Sequence, residues 1–471
     1  MTDHVARQRA ALERATHHSL AFLNTLDTAP VRATATLAEL RSRFAHPLPE
    51  QGREAAAVVD ELAAGVEGGI LGTAGGRFYG WVIGAGLPAA VAADWLTSVW
   101  DQNAGLYACG PAAAVVEEVC GDWLKSLLGV PAQASFALVT GCQMAHATCL
   151  AAARHALLAR LGIEVERDGL AGTPPIRVLT SDAVHGTTTR ALKLLGIGSG
   201  AMTILPSDAA SRLTAETLKK ALAEGKDRPT VVVLQAGDVN CGVFDDFATL
   251  IPIAHAAEAW VHIDGAMGLW ANATPKYRHL LAGAEQADSW ATDGHKWLNV
   301  PYDCGYAFVA DAEAHERALG HRASYLGHTD DARDQLDWTP EHSRRARGFA
   351  TWAALRELGK SGVAELIERC CVHAHAIVTR IGALPNAKMI AEPIINQGLV
   401  RFLDPKQGAT EADHDRRTDE VMAAINATGE AYFTGTTWRG KRCMRVSVSS
   451  WRTTEQDVDR AVAAAKEVLK G

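Results

Sequence analysis

The chain is 471 residues long, 48% hydrophobic and 21% charged, with a formal net charge of -8. That length exceeds one simple core and predicts two or three cooperating lobes of ordinary globular composition. The acidic balance, without a long basic run, excludes nucleic acid as a partner, because phosphates demand clustered Lys and Arg.

The opening stretch, MTDHVARQRAALERATHHSLAFL, carries an early acid, several Arg and His, and no apolar core of signal-peptide length. Within residues 1–73, AALERATHHSLAFL and EQGREAAAVVDELAAGV have helical spacing and flank a linker at HPLP. The Gly-rich GGILGTAGGRFYGWVIGAG then marks a boundary. From 74 to 340, SFALVTG, IRVLTSD, AMTILP, TVVVLQAG, AWVHIDGA and CGYAFVAD are strand candidates alternating with helical segments. Continuous apolar strands alternating with helices imply an α/β domain with a parallel sheet covered on both faces. LVTGCQMAHATCLAAARHALL, interrupted by His146, Arg154 and His155, reads as a buried helix and not a membrane span. Residues 341–471 predict a smaller α+β lobe: a helix at RRARGFATWAALRELG, strands at GLVRFLD and RCMRVSVSSW, and a closing helix, EQDVDRAVAAAKEVLK. Nine cysteines with no CxxC pair read as reduced, mostly buried thiols, so a cytoplasmic location without a membrane partner is expected.

Four segments carry chemistry. In SWATDGHKWLNVPYDCGYAFV, Lys296 lies between His295 and Trp297, with little charge expected nearby. Desolvation there lowers a lysine pKa and leaves a nucleophilic amine. In AWVHIDGAMGLW, Asp264 ends a buried strand, where a carboxylate needs a cationic partner. His262 beside it suggests a metal pair, but no third ligand has convincing spacing, so no metal is expected. In LTSDAVHGTTTRALKLLGIG, His185 precedes a helix that starts among three threonines, a good N-terminal capping site. In LVTGCQMAHATCL, a tight turn at Gly141 opens a helix whose first N–H groups favour phosphate. Each alone has a bland reading: a surface lysine, a capping carboxylate, a core histidine, an ordinary strand-to-helix turn.

Taken in this order, the four resemble the group II pyridoxal 5′-phosphate (PLP) amino-acid decarboxylases, which include aromatic amino acid, histidine and glutamate decarboxylases. The central match is DGHKWLNVPYDCG, and the resemblance spans roughly residues 70–465. It implies the fold type I, aspartate-aminotransferase-like architecture, with a mostly parallel seven-stranded sheet and a smaller α+β domain. It also implies PLP as cofactor, an amino-acid substrate and a homodimer clasped by the N-terminal helices. By resemblance, Lys296 forms the Schiff base, His295 is its phosphate-side neighbour, Asp264 is the pyridinium partner and Ala266 lies near the ring. His185 stacks on the cofactor, while Gly141, Cys142 and Gln143 fall at the phosphate turn and Asn240 in the QAGDVNCGVFDD turn. Arg77, Phe78 and Tyr79 fall where relatives line the substrate pocket. Arg77 and Arg445 are candidates for carboxylate contact, since Arg offers a planar fork.

The sequence departs from the family in two places. Met144 replaces an acid, and ASYLGHTDDARDQLDWTPEHSRRAR has no tyrosine between Tyr325 and Trp338, where relatives carry the residue that reprotonates the α-carbon. His328 is a stand-in or part of a substrate wall. The resulting expectation is decarboxylation of an L-amino acid to its amine through Lys296. The alternatives are PLP-dependent aldehyde synthesis, aldolase or lyase chemistry on an amino acid, and a catalytically silent scaffold.

Overall fold

A computed structural model describes residues 3–321 and 332–470. Three helices come first: α1 (Asp3–Thr25), α2 (Leu37–Phe44) and α3 (Ala55–Gly65). The short α2 is held by a capping box in which Thr36 and Glu39 satisfy each other's backbone N–H. Helices α4 (Pro88–Trp100) and α5 (Pro111–Leu128) follow, each starting at a proline whose missing N–H costs nothing in the first turn.

The main sheet is built from β1 (Ser135–Val139), β2 (Arg177–Ser181), β3 (Met202–Leu205), β4 (Thr230–Gln235), β5 (Trp260–Asp264), β6 (Ser289–Asp293) and β7 (Gly305–Val309). Its order is β1-β7-β6-β5-β4-β2-β3. Pairings are parallel from β3 through β6, and β7 runs antiparallel to both β6 and β1. Six strands had been legible as apolar runs; β6, SWATD, is the addition. Helices α6 (Cys142–Ala159), α7 (Val165–Asp168), α8 (Gly186–Leu194), α9 (Ala215–Ala223), α10 (Phe247–His255) and α11 (Ala312–Leu319) connect or flank these strands. The core sits between α6 and the sheet, where Ala145, Cys149, Leu150 and Ala153 meet Val178, Val231, Val233 and Ala291. Small residues along α6 let its backbone lie close to the strands.

Helix α12 (Gly348–Gly382) breaks at Gly359, whose φ of 59° suits glycine and not a residue with a Cβ. Strands β8 (Ala387–Ala391), β9 (Gln397–Phe402), β10 (Thr434–Trp438) and β11 (Lys441–Ser447) form a second sheet in the order β10-β11-β9-β8. Helices α13 (Glu411–Thr428) and α14 (Glu455–Val468) each begin with a Thr–Asp capping box. The chain divides into two compact units: Met1–Ile83 with Ala376–Ile390 and Leu399–Gly471, and Gly84–His375 with Ala391–Gly398. Among the described residues no helix is long and apolar enough to cross a membrane.

Candidate active site

The parallel sheet delivers its chemistry at the carboxyl ends of its strands, as open α/β sheets do. Asp264 closes β5, Asp293 closes β6, Lys296 lies three residues further on, and Gly141 joins β1 to α6. His185 follows β2. All belong to the second compact unit.

Lys296 is not in a charge-poor place. Its Nζ lies 2.9 Å from Oδ2 of Asp293, and the lysine side chain is 20% exposed against 2% for its partner. Burial alone would lower the ammonium, but Asp293, with Cys142 and Asp264, outweighs it, so the lysine pKa is raised. This corrects the expectation of an amine activated by desolvation alone. The sequence signal was present: Asp293 stands at i−3 of the lysine, across a tight turn. The other oxygen of Asp293 accepts the Cys142 N–H at 2.5 Å, tying the lysine turn to the start of α6. A Cβ on Gly141 would lie 3.1 Å from Cε1 of His295 and 3.4 Å from Oδ1 of Asp293, so only glycine leaves this junction uncrowded. A Cβ on Gly84 would overlap the Lys296 carbonyl oxygen.

His295 stacks on Tyr302 with ring centroids 4.3 Å apart. Its Nδ1 takes the Cys304 N–H at 3.3 Å, and burial lowers its pKa. Asp264 is buried. Burial would raise its pKa, but His146, His185 and Lys296 together carry it below the ordinary carboxylate value. Its Oδ1 accepts the Ala266 N–H at 3.3 Å.

His185 is the N-cap of α8. Its Nδ1 accepts the Thr187 N–H at 3.4 Å and lies 2.8 Å from Thr187 Oγ1, with the ring exposed. The backbone N–H can only donate, so Nδ1 is the acceptor and Nε2 carries the proton. The histidine thus takes the capping role expected of the threonines.

Sequence reasoning gave no role to His146 or Ser289 and weighed His262 only as a metal ligand. His146, one turn into α6, has Nδ1 2.8 Å from Nε2 of His262 and Nε2 3.5 Å from Oδ2 of Asp264. His262 Nδ1 lies 2.9 Å from Ser289 Oγ. The signal was the His-x-Asp of β5: alternate strand residues share a face, and α6 covers that face. The ligand atoms of Cys142, His146 and Asp264 all lie within 4.8 Å of one another.

Gln143 and Asn240 are half-buried, the latter in a turn where its N–H donates to Asp238 Oδ2 at 2.9 Å. Arg77, Phe78, Tyr79 and Arg445 belong to the first compact unit. Arg77 is buried and donates to the carbonyls of Leu26, Ala29, Gly429 and Glu430 at 2.7–3.2 Å. Its fork is therefore committed to the backbone. Phe78 stacks on Tyr432 at 5.0 Å and Tyr79 on Phe433 at 5.3 Å. Arg445 sits on β11 opposite Thr434. His328 lies outside the described residues.

The donor set fits PLP: an amine at the strand ends, a buried anionic carboxylate for a ring nitrogen, and a glycine turn opening a helix. The first-turn N–H groups of such a helix lack intrahelical acceptors and favour phosphate.

Comparison with known proteins agrees. The family model of the pyridoxal-dependent decarboxylase conserved domain matches residues 41–403. The chain is 25% identical to an aromatic-L-amino-acid decarboxylase of Bacillus atrophaeus over 93% of its own length and 90% of the relative's. It is 26% identical to tryptophan decarboxylase 1 of Oryza sativa subsp. japonica, covering 96% and 92%. A 4-hydroxyphenylacetaldehyde synthase of Rhodiola rosea is 24% identical, covering 93% and 90%. Among solved structures, Oryza sativa TDC with PLP and tryptamine superposes with a TM-score of 0.91 at 24% identity, covering 98% and 97% of the two chains. The chain belongs to the pyridoxal-dependent decarboxylase family and is a carboxy-lyase that uses PLP.

Proposed function

We propose that the protein removes the α-carboxylate of an aromatic L-amino acid to give the amine, with Lys296, Asp264 and His185 as its working residues. The observation that carries this reading is the pairing of Lys296 with Asp293 at 2.9 Å beside a second, separate buried carboxylate, Asp264. The substrate class rests on the aromatic amino acid and tryptophan decarboxylases that the chain resembles at 25–26% identity over most of its length.

When bound, PLP supplies a sink for the electron pair left by the departing carboxylate. Lys296 holds the cofactor through Nζ, and Oδ2 of Asp293 is placed to take the proton the amine must shed. Asp264 stays anionic and holds a proton on the ring nitrogen, the state in which a pyridine withdraws electrons best. His185, its ring fixed by the α8 cap, would lie against the cofactor ring. Gly141 and the N–H groups of α6 from Gln143 onward would receive the phosphate, the Cys142 N–H being held by Asp293, and His295 walls the lysine turn. Ala266 and Asn240 complete the cofactor surroundings.

We also place the protein in the cytoplasm as a homodimer. Among the described residues, which include all nine cysteines, no disulfide forms. Helix α1 exposes Val5, Leu12, Leu20, Phe22 and Leu23, and α4 exposes Trp95, Leu96, Val99 and Trp100, apolar area that a second subunit would cover.

The test is spectroscopic and chemical. The PLP-loaded protein should absorb in the visible and release carbon dioxide from an aromatic L-amino acid. Lys296→Ala should lose both. Retention of the lysine-dependent spectrum in Lys296→Ala would refute the site assignment, and turnover only of acidic or basic amino acids would refute the substrate class.

A further inference from the structure

Behind Asp264 runs a buried chain of side chains that the reaction as described leaves unused. Strand alternation puts Trp260, His262 and Asp264 on one face of β5, and Ser289, which opens β6, is the register partner of His262. His146 reaches this face from α6. The links are Trp260 Nε1 to Ser289 Oγ at 2.9 Å, Ser289 Oγ to His262 Nδ1 at 2.9 Å, and His262 Nε2 to His146 Nδ1 at 2.8 Å. His146 Nε2 then lies 3.5 Å from Asp264 Oδ2 and 3.4 Å from Cys142 Sγ. Both histidines are fully buried.

The ends of this chain fix its direction. An indole N–H can only donate, and an ionised carboxylate can only accept. With each neutral imidazole donating once and accepting once, one arrangement satisfies every link. Trp260 donates to Ser289, Ser289 to His262 Nδ1, His262 Nε2–H to His146 Nδ1, and His146 Nε2–H points to Asp264. The reverse polarity would aim a bare imidazole lone pair at the carboxylate. At 3.5 Å the last contact is longer than a tight hydrogen bond, and the Nε2–H is shared with the Cys142 sulfur. Its effect on Asp264 is therefore chiefly electrostatic. The other titratable groups acting on Asp264 are His185 and Lys296, and those acting on His146 are Asp264, Asp293 and Lys296.

We propose that His146, oriented by His262 and Ser289, is a positioning residue that directs an N–H at Asp264 and so keeps this carboxylate anionic and fixed for the ring nitrogen of the cofactor. The inference rests on the reading of Asp264 as that nitrogen's partner. It gives the two buried histidines a single task and makes His146 part of cofactor electronics without contact to the substrate.

The experiment compares four holoenzyme variants by PLP dissociation constant and by the pH midpoint of the visible absorbance: Asp264→Asn, His146→Leu, His146→Gln and Ser289→Ala. Loss of a long, shared N–H contact to the carboxylate corresponds to about a three- to tenfold change in affinity. His146→Leu should weaken PLP by about that factor and move the absorbance midpoint in the direction of Asp264→Asn. His146→Gln, whose amide can place an N–H near the same point, should recover most of both. Ser289→Ala, which leaves His146 in place, should weaken binding by a smaller factor and keeps the test decisive if His146→Leu does not fold. Unchanged PLP affinity and spectrum in Asp264→Asn would overturn the underlying site reading. A clear Asp264→Asn effect with wild-type behaviour in His146→Leu, or in Ser289→Ala if His146→Leu does not fold, would overturn the positioning role alone. Equal losses in His146→Leu and His146→Gln would reduce His146 to packing and also overturn it.

Discussion

Replacing Asp293 with Asn removes the charge that holds the Lys296 ammonium. Two unit charges 2.9 Å apart attract by roughly 6 kcal/mol at an effective dielectric of about 20. The amide can still accept a hydrogen bond, which returns about 1 kcal/mol, and water reaching the partly exposed lysine softens the remainder. A net loss of about 3 kcal/mol for the protonated amine is left, roughly a hundredfold more free amine at a given pH. The assay is reductive trapping of PLP on the apoprotein with cyanoborohydride across about pH 6 to pH 10, with the adduct on Lys296 counted by mass spectrometry. The trapping profile of Asp293→Asn should shift to lower pH. The stability arm has a definite sign. A lysine whose folded pKa is raised contributes stability that is fully present below its unfolded value of about 10.4 and lost as pH rises through the folded value. The wild type should therefore lose stability in alkali more steeply than the variant, and be the more stable of the two near neutrality. Superimposable trapping profiles would refute the argument that Asp293 governs this amine.

Other consequences follow from single contacts. Arg77→Gln strips donors from four carbonyls, two of them buried, and should cost about 3 kcal/mol, read as a lower urea midpoint with the PLP spectrum intact; a raised KM at unchanged stability would make Arg77 a substrate contact instead. Gly84→Ala forces a Cβ into the Lys296 carbonyl oxygen and should abolish the visible absorbance of the holoenzyme, whereas a normal spectrum would mean the two backbones separate easily. Glu117 and Arg344 pair at 2.7 Å with both side chains fully buried, so Glu117→Gln should destabilise by about 3–5 kcal/mol in urea unfolding; a change below about 1 kcal/mol would show the site tolerates an unpaired guanidinium. Burial lowers His262 and His315 to about 3, so both stay neutral in the folded chain. Stability should fall as pH drops from about 6.5, where an unfolded histidine takes up its proton, toward the folded value. His315→Gln should flatten that slope, and an unchanged slope would place the acid sensitivity elsewhere.

The sheet was legible because its strands are short runs rich in β-branched residues and buried along their length, a pattern that TVVVLQ displays most plainly. SWATD escaped because it lacks an apolar β-branched run, opening on a serine and closing on an aspartate, and those two polar ends are its working residues. Asp264 could be found from its place at the end of a buried strand, and Lys296 from the resemblance carried by DGHKWLNVPYDCG. Asp293 could not be weighted correctly, since whether a carboxylate three residues away turns toward or away from a lysine is decided by the backbone of the turn. His146 read as an interruption of an apolar helix. Only the packing of α6 on the His262–Asp264 face gives it a partner, and that contact joins residues more than a hundred positions apart. Arg77, Phe78 and Tyr79 of GRFYGW were candidates for a substrate pocket by resemblance, since aromatics and an arginine suit either a pocket or a core. The structure shows the guanidinium spent on carbonyls and the rings stacked on Tyr432 and Phe433.

The most direct test of the function is product analysis of the PLP-loaded protein with aromatic L-amino acids, following carbon dioxide, amine, aldehyde and hydrogen peroxide together. Carbon dioxide and the matching amine in equal amounts, without peroxide, is the predicted result. Aldehyde with peroxide and ammonia, or a cleaved side chain without carbon dioxide, would contradict it.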